Sequence, residues 1–152
     1  MCWDCDHPDA GPHDYLNLLE GLIDKHGYTV QGVEGDRIHP PWAYTVGLTR
    51  RRQPELVVTG LEFREASALL GGVAAHVLHD TAPKHGEQIP LCGGPLIEVV
   101  QLSEPSAHLH TAVSLYGPGI QAIQLVHADA RGHWPWEPGY RGGQPVLGPR
   151  TR

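Results

Sequence analysis

A chain of 152 residues can bury roughly 70 % of the surface its unfolded form exposes, enough for one hydrophobic core and so for one domain. Its 11 Lys and Arg against 17 Asp and Glu leave a net charge of -6, which excludes a broad basic face for nucleic acid or anionic lipid. The first residues lack the basic region and apolar run of a secretion signal, and no apolar stretch nears the ~20 residues that span a bilayer, so a cytoplasmic protein without a membrane partner is expected.

With 19 Gly and 14 Pro, the elements should be short and joined by many turns. From Asp14 onward, Tyr15, Leu18, Leu19, Leu22 and Ile23 fall on one helical stripe that Gly27 ends. Residues 28–34 are rich in β-formers, and after the Pro40-Pro41 break the run Ala43-Tyr-Thr-Val-Gly-Leu48 reads as a second strand. Arg50-Arg-Arg52 makes a solvated hairpin tip before a third strand, Glu55-Leu-Val-Val-Thr59, so the three form an antiparallel meander. A second helix is predicted from about Arg64 to His79, because Ala66, Leu69, Leu70, Val73, Ala74, Val77 and Leu78 share a face. Residues 80–95 read as an exposed loop carrying Lys84, His85 and Cys92, followed by a strand over 96–102. Helical spacing returns over 106–116 and stops at Gly117-Pro118-Gly119, and residues 120–126 form the last strand. Together these elements predict an α+β domain over residues 1–137. Its mixed or mostly antiparallel sheet has about five strands, with two or three helices on one face. Residues 138–152, mostly Gly, Pro and Arg, read as a flexible tail, and an uncovered sheet face leaves room for a homo-oligomer.

Several words of the sequence carry a family resemblance. Cys2-x-x-Cys5, His26-Gly-Tyr28, Ala43-Tyr-Thr-Val-Gly-Leu48, Pro54-Glu-Leu-Val-Val-Thr-Gly-Leu61, Gln124-Leu-Val-His-Ala-Asp129 and Gly132-x-Trp-Pro-Trp-Glu137 occur in one order along nearly the whole chain. In these the chain resembles the bacterial family catalogued as domain of unknown function 4262. The resemblance implies a compact, bacterial, cytosolic single domain and assigns no substrate, cofactor or catalytic residue.

Three constellations could carry chemistry. Cys2, Cys5 and His7 have the spacing of zinc ligands, with Cys92 or a distant histidine as the fourth; the competing reading is a packed or frayed chain end. His76 and His79, one helical turn apart, and His108 and His110 lack a matching carboxylate and read as solvent-facing or helix-end histidines. On the last strand His127 and Asp129 stand two residues apart, as an imidazole base and its orienting acid would. Trp134 with Trp136, and Trp42 with Tyr44, share parity in the same way, so these aromatics either wall a pocket around the His/Asp pair or plug the end of the sheet. No nucleophile elbow, phosphate loop or dinucleotide turn is present. Two function classes follow. One is a module that binds a small molecule or a protein through this pocket. The other is a small metal-assisted or His/Asp-assisted hydrolase.

Overall fold

The structure, a computed structural model, describes residues 12–90 and 96–149. Cys2, Cys5, His7 and Cys92, the residues of the zinc expectation, lie outside the described residues. Helix α1 (Pro12–His26) buries Leu19 and Ile23 and ends where Gly27 takes a positive φ of 89°. Strands β1 (Thr29–Val33), β2 (Trp42–Val46) and β3 (Glu55–Thr59) form the antiparallel meander. A 3-10 turn, Leu48–Arg51, joins β2 to β3, and its Arg50 pairs with Asp24 of α1.

Helix α2 (Phe63–His79) follows, then β4 (Gln88–Pro90), β5 (Leu96–Gln101), a 3-10 turn at Pro105–Ala107, helix α3 (His110–Tyr116) and β6 (Ala122–His127). Two local readings change. The loop expected over 80–95 contains β4, which pairs antiparallel with β5 through Ile89 and Ile97. The helix expected from residue 106 begins at His110, because Leu109 leaves helical geometry (φ -101°, ψ 65°) to plant a fully buried side chain in the core.

The six strands run in the order β1-β2-β3-β6-β5-β4. Every pairing is antiparallel except β3 with β6, which lie parallel at the centre with Glu55 opposite Ala122. Both central strands are buried along their whole length, as their near-continuous apolar runs require. Alternation divides the core in two. Ala43, Leu56, Val58, Ile97 and Leu125 meet Leu70, Val73 and Val77 of α2 on one face. Tyr44, Val46, Val57 and Ala122 meet Ile23 of α1 and Leu109 and Ala112 on the other. The three helices are thus shared between the faces. No helix among the described residues is long and apolar enough to cross a membrane.

The segment after residue 137, read from sequence as a flexible tail, lies against the sheet as far as residue 148. Pro145 accepts from Thr59 Oγ1 and Gln124 Nε2 (2.7 Å each), Leu147 N–H donates to Gln124 Oε1 (2.8 Å), and Leu147 C=O accepts from Ser103 N–H. This strap is held by buried glutamines together with Leu147, which packs against the second core, and composition does not reveal the glutamine part.

Candidate functional site

The parallel pair β3/β6 sets the place of the site. Beyond Thr59 the chain turns at Gly60 into α2 on one face, while beyond His127 it loops round and returns as the strap on the other. Adjacent strands whose continuations leave toward opposite faces open a crevice at their carboxyl ends. A hollow of about 550 Å3 lies there, bounded by Gly60 and Leu61 after β3, by residues 127–130 after β6, and by residues 140–143 leading into the strap.

His127 forms the buried side of the hollow, with 9 % of its surface exposed. Ala128 N–H bonds to Leu96 of β5, so by alternation the peptide groups of His127 face the β3 side, where β3 has already departed. Gln144 fills that gap: its Oε1 accepts from His127 N–H and its Nε2 donates to His127 C=O, both at 2.8 Å. On the side chain, Nε2 lies 3.2 Å from the Thr59 carbonyl. A carbonyl only accepts, so Nε2 carries the hydrogen and Nδ1 of the neutral ring is left as an acceptor. Burial pushes the His127 imidazole below its ordinary value and outweighs the Thr59 carbonyl and Glu65, which favour the charged ring.

Asp129 has another occupation. Its Oδ1 accepts from the amides of Arg131 (2.9 Å) and His133 (2.8 Å), and its Oδ2 from the amide of Arg141 (2.9 Å). His133 Nδ1 stands 3.7 Å from Oδ2, and the Asp129 side chain is only 5 % exposed. Burial opposes its ionisation, but the amides of Arg141, His133 and Arg131 win, holding the carboxyl below the usual carboxylate range. Asp129 therefore pins the two ends of the 129–141 loop together, and no hydrogen bond joins it to His127 among the described residues.

The four aromatics do not border this hollow. Register gives the reason for β2: Tyr44 lies opposite Val57 and Val57 opposite Gln124, so Trp42 and Tyr44 share the face of Gln124, and His127, an odd number of residues further on, points the other way. Tyr44 is 2 % exposed in the second core, where its hydroxyl accepts from Thr111 N–H (3.0 Å), and Trp42 packs against the same core. Trp134 and Trp136 stack on each other, ring centres 5.5 Å apart and 9° from parallel, across a turn in which Trp134 N–H donates to Glu137. His76 faces Asp80 at 4.0 Å on the exposed end of α2, and His110 Nε2 meets the Ala107 carbonyl at 3.1 Å.

Sequence reading missed Gly60, Tyr140, Arg141 and the glycines at 142 and 143. The signal was present as a Tyr-Arg-Gly-Gly run after a turn, but it fell in a segment judged too polar to dock. A second hollow, of about 430 Å3, lies between the end of α2 and β4 beside His76, Asp80 and Lys84. Its rim is exposed loop: Asp80 is taken up by Thr81 N–H and Glu87 faces Lys84 N–H. Among the described residues no group of three or more His, Cys, Asp or Glu is placed to hold a metal ion.

The family described as Domain of unknown function (DUF4262) matches this chain over residues 22–141, well over half its length. No curated protein and no solved structure matches it.

Proposed function

The chain belongs to the DUF4262 family, and on that premise we propose that it is a binding module for a small organic molecule, held in the hollow at the carboxyl ends of β3 and β6. One observation carries this reading: a buried, neutral His127 with an unused ring nitrogen stands at a crevice whose size falls in the range of about 300–1,000 Å3 usual for small-ligand sites. Support also comes from the hydrogen bonds that fix its shape, since Gln144 holds one side of the rim through two buried bonds to His127 and Asp129 holds the other through the amides of His133 and Arg141.

The hydrolase reading rests on the same histidine. Among the described residues no Ser or Thr borders the hollow, so a hydrolase built from them would have to activate water with His127 as base, oriented by the Thr59 carbonyl instead of Asp129. With Asp129 engaged by three amides, binding is the simpler use of the site. A screen of small fragments, followed through backbone amide resonances, tests the choice. Ligands should move Gly60, Ala130, Gly142 and Gly143 together, and Ala130→Trp, a change at an exposed rim residue, should abolish the effect with the melting temperature unchanged. Fragments that bind Ala130→Trp as well as the parent protein would remove the reading. Turnover of an activated ester that disappears in His127→Gln would replace it with the hydrolase.

A further inference from the structure

Between the strap and the Asp129 loop the hollow's rim carries free hydrogen-bond donors, across from the acceptor Nδ1 of His127, and Gln144 sets one of them. That side chain, 7 % exposed, spends its oxygen on His127 N–H and its amide hydrogens on the His127 carbonyl and the Tyr140 hydroxyl, each at 2.8 Å. A carboxamide nitrogen can only donate, so the Tyr140 oxygen accepts in that bond and its own hydrogen has no acceptor among the described residues. Next to it, Arg141 is exposed and its guanidinium has no ion-pair partner among the described residues. The amides of Ala130, Gly142 and Gly143 likewise donate to nothing described. Asp129, the one carboxylate at the hollow among the described residues, is covered by three N–H groups.

Building on the small-ligand reading above, we infer that this hollow takes the carboxylate of a small organic acid, with Arg141 and Tyr140 donating to its oxygens and the amides at 142 and 143 completing the rim. A single guanidinium, planar and two-pronged, matches a monoanionic carboxylate. A phosphate dianion would bring a second charge with no second cation among the described lining residues, beside Asp129. Leu61, Ala128 and Ala130 supply the wall for a short apolar body.

The test compares benzoate, benzamide and inorganic phosphate on the whole chain, again through backbone amides. Benzoate should saturate at Gly60, Gly142 and Gly143 at least about tenfold more tightly than benzamide, the difference a charge-assisted pair supplies. Arg141→Gln, at an exposed position, should weaken benzoate about tenfold and leave benzamide unmoved, with Tyr140→Phe acting in the same direction. Benzamide binding as well as benzoate at these amides overturns the carboxylate and leaves the ligand site standing. Saturation by phosphate and not by benzoate also overturns it. Silence of all three probes at these amides overturns the inference and the site together.

Discussion

Gln144 completes the hydrogen bonding of His127 as a strand neighbour would, one carboxamide answering both the N–H and the C=O of a residue that β3 no longer reaches. Replacing it by Leu leaves two buried peptide groups unanswered beside an apolar side chain. The expected loss is about 2 kcal/mol or more of unfolding free energy, with the His127 amide exchanging faster than its neighbours on β6. Denaturant unfolding and amide exchange measure both; a variant as stable as the parent would show that water replaces the side chain at no cost.

His127 gives the site a pH dependence of definite sign. Because burial lowers its folded value below the ordinary one of about 6.5, its stabilising contribution is complete above that ordinary value and is lost as the pH falls through the folded value. Stability of the parent should therefore drop more steeply than that of His127→Gln from about pH 7.5 to about pH 5. Parallel stability curves for the two proteins would contradict this.

Glu55 should behave with the opposite sign. Its carboxylate is fully buried, pushed upward by burial against the hydroxyl and amide of Thr49, the hydroxyl of Thr45 and the amide of Gly47. A raised folded value means a contribution fully present below the unfolded carboxylate value and lost as the pH rises through the folded one. Glu55→Gln removes that slope, yet it still costs about 1–3 kcal/mol, since an NH2 group then faces donors that close the 3-10 turn. Unfolding free energies of both proteins across the acidic range check both parts.

Two glycines should respond in opposite directions to alanine. Gly60 has a φ of 78°, and a Cβ there would stand 2.3 Å from the Gly143 carbonyl oxygen, so Gly60→Ala distorts the rim and costs more than the about 1–2 kcal/mol of the left-handed backbone alone. Gly72 lies within α2 with nothing within 4 Å, so Gly72→Ala should stabilise by about 0.5–1 kcal/mol. Thermal melts decide, and equal shifts would mean the rim gives way without cost.

Much of the fold was legible because it rests on periodicity. The stripe that buries Leu19 and Ile23, the α2 face of Leu70, Val73 and Val77, and the apolar β3 and β6 all follow from spacing alone. Parity correctly put Trp42 and Tyr44 on one side of β2, but it does not say whether that side is open or, as here, covered by Leu109 and Ala112. Only the pairing register, which no local pattern encodes, sends His127 to the face opposite Tyr44. The strap was invisible for a related reason: Gln124 of β6 and Gln144 of the strap are polar in composition and buried in fact, each satisfied by the other's segment only after the sheet is built.

The parallel pairing of Glu55 with Ala122 closes a loop containing two helices and two further strands. Local antiparallel hairpins form early and cheaply, whereas such a distant pairing must wait until the intervening chain has collapsed. The crevice exists only at the ends of that pair. Its occupancy is therefore tied to the global folding equilibrium, and any tenant would act as a reporter and stabiliser of the entire domain, protecting amides as far away as α1.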